Sequence, residues 1–231
     1  MAPALTRKIH RCYERTVRGD FNIDGLRGTD LHGKTFAALG VGAIGAKALR
    51  IAGGFGMGRI AHDIHPHPEL AWEIGFRYVG FEELLARADV LSIHVPYSPA
   101  THHLIDSDAL ARLPAGAIVV NTARGGIIDP QALLDALRSG RLGGAALDVL
   151  EGEVSIGEEA EIMSSGYDVE TLQAIVRNHA LLQMPNVIIT PHVAFNSDQA
   201  IERIVDTTLA NIYAFLAGYP QNIVTQPVAA R

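Results

Sequence analysis

From residue 33 onward, short apolar runs alternate with segments of helical spacing. The runs 35–39, 59–62, 90–95, 117–121, 145–148 and 187–190 are predominantly apolar, as expected for strands covered on both faces. Between them, 44–52, 81–88, 106–113, 130–139 and 169–182 repeat apolar residues at helical intervals. Strands separated by helices require a parallel sheet with right-handed crossovers. Six such strands predict an α/β fold, a Rossmann-type doubly wound parallel sheet with flanking helices.

The ends of the chain read differently. Residues 3–18 place Leu5, Ile9, Tyr13 and Val17 every fourth position among five basic residues, which predicts one amphipathic docking helix. An Arg-rich start of this kind also resembles a mitochondrial presequence, but Glu14, Asp20 and Asp24 interrupt it. Residues 197–218 predict a long amphipathic helix with Ala200, Ile204, Thr207, Thr208, Asn211 and Phe215 near one stripe. The stretch 151–167 is the least regular connection, and a long loop after a parallel strand is either functional or a neutral insertion.

Composition narrows the function classes. The 231 residues are 48% hydrophobic and 19% charged, ordinary for a globular protein of one or two domains. A net charge of −6 argues against general nucleic-acid binding, which needs excess Lys and Arg. No apolar run approaches the roughly 18 residues of a membrane span. There is no secretory signal pattern, and the lone Cys12 fits a reducing compartment, so a cytoplasmic location is expected.

The strongest local motif is Gly40-Val41-Gly42-Ala43-Ile44-Gly45, which follows a predicted strand and opens a helix. Gly40 permits the turn, Gly42 lets backbone approach a pyrophosphate, and Gly45 allows close helix–strand packing. The amides of Ala43 and Ile44 begin a helix whose positive end favours phosphate. Asp63 follows Gly45 by 18 residues at the end of the second strand. A carboxylate there can accept both ribose hydroxyls and repel a 2′-phosphate, favouring NAD over NADP. His62, His65 and His67 lie beside prolines in what reads as a loop, and His102 and His103 read as surface loop residues. No metal site is expected from them.

Three further segments carry a resemblance: NTARG at 121–125, DVLEGE at 148–153 and TPHVAF at 190–195. With GFGM at 54–57, HVP at 94–96 and NTARGGIID at 121–129, the chain resembles the D-isomer-specific 2-hydroxyacid dehydrogenases from about Lys8 to Val224, closest to their D-lactate dehydrogenase branch. The resemblance implies that Arg124 binds a 2-keto acid's carboxylate and polarises its carbonyl. It implies that His192 exchanges the proton on the carbonyl oxygen, with Glu153 hydrogen-bonded to it. Val95, Pro96, Thr122, Ala123 and Asp148 would line the nicotinamide end, and Phe195 the substrate side chain. The chemistry is consistent: a guanidinium fork suits a carboxylate beside an electrophilic carbonyl, and imidazole titrates near neutrality.

The resemblance also divides the chain. Residues 1–193 correspond to the NAD-binding domain with a crossing helix, and 194–231 to a helical segment that returns to a substrate lobe. Met1 falls inside the first crossing helix, so that lobe is expected to be largely absent. Expected partners are therefore NAD, a small 2-keto or 2-hydroxy acid such as pyruvate, and a second copy in a homodimer. A non-catalytic NAD-binding module, or an enzyme fragment needing a missing lobe, is the alternative.

Overall fold

The computed structural model describes residues 1–152 and 169–223. They fall into two units, Met1–Pro191 and His192–Arg231.

In the first unit, seven parallel strands form one sheet. They are β1 (Thr35–Leu39), β2 (Gly58–His62), β3 (Arg77–Tyr78), β4 (Val90–Ile93), β5 (Ala117–Asn121), β6 (Leu142–Leu147) and β7 (Val187–Ile189). The order β3-β2-β1-β4-β5-β6-β7 reverses direction at β1, giving a doubly wound sheet. Leu39 pairs with His62 on one side and Ile93 on the other, so three carboxyl ends finish level at the reversal.

Alternate side chains build two apolar layers. Ala37, Leu39, Leu91, Ile93, Val119, Ala145 and Leu147 belong to one. Phe36, Ala38, Ala61, Val90, Val120 and Ala146 belong to the other. The first layer is shared with α5 (Phe81–Arg87), α6 (Ser107–Arg112), α7 (Pro130–Arg138) and α8 (Val169–Leu182). The second is shared with α1 (Ala2–Thr6), α3 (Ala43–Gly54) and α4 (Pro68–Ile74).

Several expectations need correction. The N-terminal helix is two helices, α1 and α2 (Ile9–Val17), because Lys8 adopts a left-handed conformation with φ 52°. The Thr6 carbonyl accepts from Thr29 N at 2.9 Å instead of continuing the helix, and Lys8 Nζ donates to Gly25 O at 2.8 Å. β6 begins three residues before the expected 145–148 strand. Gly143 and Gly144 are within it because a Cβ on Gly143 would lie 2.4 Å from the Gly116 carbonyl oxygen. α4 and the two-residue edge strand β3 were not anticipated, while β2 ends at His62 as the expected strand 59–62 does.

In the second unit, α9 (Asp198–Leu216) is capped by Ser197, whose Oγ accepts from Ala200 N at 3.3 Å. Ile201, Ile204, Leu209 and Phe215 on it are exposed. No helix among the described residues is long and apolar enough to cross a membrane.

Candidate dinucleotide and substrate site

The glycine motif sits at the sheet's reversal point, and each glycine meets a different constraint. Gly40 has φ 94°, and a Cβ there would stand 2.9 Å from both the His94 carbonyl carbon and Val95 N. Only glycine lets β1 turn this close to the end of β4. Gly45 is pressed against that turn, with its would-be Cβ 2.2 Å from Gly40 O. Gly42, the N-cap of α3, has nothing within 4 Å of the same position. No side chain caps α3 there, so Gly42 opens onto a helix start suited to a pyrophosphate.

Asp63 crosses from the end of β2 to this turn. Its Oδ2 accepts from Val41 N at 2.7 Å and its Oδ1 from His65 N at 2.8 Å. Partial burial raises its pKa, but the two backbone amides and nearby His65 and His62 outweigh that, and the net direction is downward. An ionised carboxylate held at the tip of β2 beside the glycine turn fits a dinucleotide's ribose. With the open helix start, the residues present fit NAD.

Next to the turn is a cavity of about 500 Å³ lined by Ile44, His94, Val95, Pro96, Tyr97, Thr122, Ala123 and Arg124. Ile44 is 67% exposed at the start of α3, presenting an apolar side chain to it. The cavity thus gathers residues anticipated separately on α3, after β4 and after β5. Arg124 is exposed, and its Nη1 donates to Ala123 O at 2.7 Å.

Asn121 positions that loop and was missed in the sequence. It is 1% exposed, its Oδ1 accepts from Ala123 N at 3.0 Å, and its Nδ2 donates to Arg124 O at 2.9 Å. An Asn at a strand end forming this local turn is the signal that could have found it. Asp148 lies apart from the cavity lining, buried at the end of β6 and accepting a hydrogen bond from the Thr190 hydroxyl. Glu153 lies outside the described residues. In the second unit, His192 has φ 52°, and its ring meets Phe195 edge-on with centroids 6.2 Å apart.

His94 is also unanticipated as a site residue. Its Nε2 is 2.9 Å from Ser92 Oγ, and burial pushes its pKa down to about 4. The unfolded imidazole titrates near 6.5, so its neutral-state contribution is complete above that value and lost as pH falls toward 4. The drop corresponds to roughly 3 kcal/mol. Asp63, also lowered, adds to acid destabilisation only below its ordinary range near 3.8. Urea unfolding at pH 7 and pH 4.5 should show this loss, and His94→Asn should flatten the dependence between those values.

Among the described residues, three metal-capable side chains converge at His102, His103 and Glu151. His65 and His67 take no part in such a group.

Residues 1–194 match the family profile described as "D-isomer specific 2-hydroxyacid dehydrogenase, NAD binding domain". The chain belongs to this family. A "2-hydroxyacid dehydrogenase homolog 1" of Schizosaccharomyces pombe is 43% identical over 92% of this chain and 62% of its own length. The "D-lactate dehydrogenase" of Escherichia coli is 36% identical, again over 92% and 62%. Among solved structures, Aquifex aeolicus D-lactate dehydrogenase complexed with NAD and lactic acid superposes with a TM-score of 0.82 at 32% identity, covering 94% of this chain and 64% of that one. The chain spans about 62% of the length of these curated relatives. The matched region is the NAD-binding domain of a family of oxidoreductases.

Proposed function

We propose that this chain is the NAD-binding part of an enzyme that interconverts a small 2-keto acid and its D-2-hydroxy acid, with pyruvate the first candidate. The observation that carries the reading is the cavity beside the glycine turn, where the apolar residues Ile44, Val95 and Pro96 share one lining with Arg124. NADH, when bound, supplies the hydride. Gly40, Gly42, Ala43, Ile44 and Gly45 hold the pyrophosphate, and Asp63 accepts the ribose hydroxyls. Val95, Pro96, Thr122 and Ala123 exclude water from the nicotinamide end, with Asp148 assigned to its carboxamide.

Arg124 binds the keto acid's carboxylate through paired N–H donors and stabilises negative charge on the carbonyl oxygen. His192 is assigned the proton transfer, Glu153 its orientation, and Phe195 the substrate side chain, all on the family's motif. Residues 194–231 are assigned to the segment that returns to the family's substrate lobe. Exposed Ile9, Tyr13 and Val17 on α2 support a homodimer, whose mass light scattering reads. The lone Cys12 supports a cytoplasmic location.

NADH consumption with pyruvate, measured beside NADH binding by fluorescence, tests the reading. Turnover is expected, and His192→Ala should lower it about 10²–10⁴-fold while sparing NADH affinity. Tight NADH binding without turnover at high protein concentration would instead favour a binding module or a part that needs a further lobe. The chain's partial coverage of its relatives is what keeps that second reading in play.

A further inference from the structure

Outside the dinucleotide site, the most chemically specific cluster joins the turn at 99–103 to the loop after β6. His103 adopts φ 48° and its backbone N–H donates to Gly126 O at 2.9 Å, fixing the turn against the residues that follow Arg124. Its Nε2 lies 3.0 Å from Glu151 Oε2. The His102 ring stacks on that of His103 with centroids 3.8 Å apart, and its Nδ1 is 3.2 Å from the Tyr97 hydroxyl. One ligand atom from each of His102, His103 and Glu151 lies within 4.8 Å of the other two.

We propose that His102, His103 and Glu151 form a three-ligand site for a zinc-class divalent cation. Two imidazoles and one carboxylate with an open fourth position are an established donor set for this ion class. Tetrahedral bonds of roughly 2.0–2.1 Å set neighbouring donors a little over 3 Å apart. His103 and Glu151 already stand at 3.0 Å, so a cation can take the place of the proton they share. The more exposed His102 closes the remaining distance by rotating its ring. Tyr97 holds that ring's other nitrogen, the kind of outer contact that orients a ligating imidazole.

The surroundings leave room for the fourth ligand. A cavity of about 740 Å³ borders all three residues, with Asp129 and Arg177 on its wall contributing opposite charges. Glu151 is anchored through its main chain, whose carbonyl accepts from the Nδ2 of buried Asn178 at 3.0 Å. An ion–carboxylate bond would therefore tie the turn at 99–103 to the β6 loop across Gly126. Gly126 lies on the loop after β5, which also carries Arg124, but the site is independent of the dehydrogenase reading.

Calorimetric titration of the metal-free full chain with zinc chloride tests the proposal, with cobalt(II) absorption and the thermal midpoint as further readouts. One tight equivalent per chain, a ligand-field spectrum of low-symmetry cobalt and a higher midpoint with zinc are expected. Glu151→Gln leaves the Asn178 bond to the main chain in place and should weaken zinc binding at least tenfold, on the order seen when metal-site groups are altered. His103→Ala should do the same, while His65→Ala should leave it unchanged. Binding no tighter than that of scattered surface histidines, or a tight equivalent that survives both Glu151→Gln and His103→Ala, would overturn it.

Discussion

Gly45→Ala is expected to destabilise the fold by about 1–3 kcal/mol and to weaken NADH binding at least tenfold. The added carbon would lie 2.2 Å from the Gly40 carbonyl oxygen, a backbone atom with no rotamer by which to move aside. Alanine's better helix propensity offsets only about 1 kcal/mol of that. The turn would have to open, moving the start of α3 away from β1 and β4. Gly42→Ala separates stability from binding, because the same carbon there meets nothing within 4 Å. Its cost should stay near 1 kcal/mol or less, that of a poorer helix cap. NADH affinity should still fall about tenfold or more, since the methyl group would occupy the pyrophosphate's approach. Urea unfolding and fluorescence titration of both variants measure the two quantities. Unchanged NADH affinity in Gly42→Ala would contradict the assignment of that helix start.

The second large effect concerns chemistry rather than stability. Arg124→Gln should lower kcat/KM with pyruvate by about 10²–10³-fold, the scale for removing a donor to developing oxyanion charge. NADH affinity should change little, because the apolar lining from Ile44 to Ala123 remains. Folding stability should stay within about 0.5 kcal/mol, as for a surface change. Arg124 is exposed, and its guanidinium donates to the neighbouring Ala123 carbonyl. Steady-state kinetics, NADH titration and urea unfolding of the one variant distinguish these outcomes. A loss confined to NADH affinity would place Arg124 in cofactor binding instead.

Much of the fold was legible because buried parallel strands announce themselves as apolar runs. The strand 35–39, the glycine turn and the strand 117–121 follow directly from that pattern. β6 begins earlier than its apolar run 145–148, because Gly143 and Gly144 add no apolar side chain to the pattern. Their small size is instead what lets β6 run beside Gly116 and Asn186. β3 has only two residues and α4 seven, too few to establish a period. The break at Lys8 depends on Thr29 capturing the Thr6 carbonyl, a tertiary contact that no local spacing records.

The site was legible in its motif residues and less so in their supports. Ile44, Val95, Pro96, Thr122, Ala123 and Arg124 were named from sequence and line one cavity. Asn121 and His94 stand inside motifs visible in the sequence, but their roles lie in burial and partners, which residue type alone does not give. Asp148, which the resemblance puts beside the nicotinamide, has a buried carboxylate that accepts from the Thr190 hydroxyl, a contact the sequence does not show. The meeting of His102 and His103 with Glu151 was invisible because 48 residues separate His103 from Glu151.

Hydride delivery can be followed atom by atom. The full chain incubated with pyruvate and NADH deuterated at both C4 positions should yield D-lactate carrying one deuterium at carbon 2, read by chiral chromatography and mass spectrometry. D-lactate without the label, or NADH bound at saturation with no lactate formed, would contradict dehydrogenase chemistry in this chain.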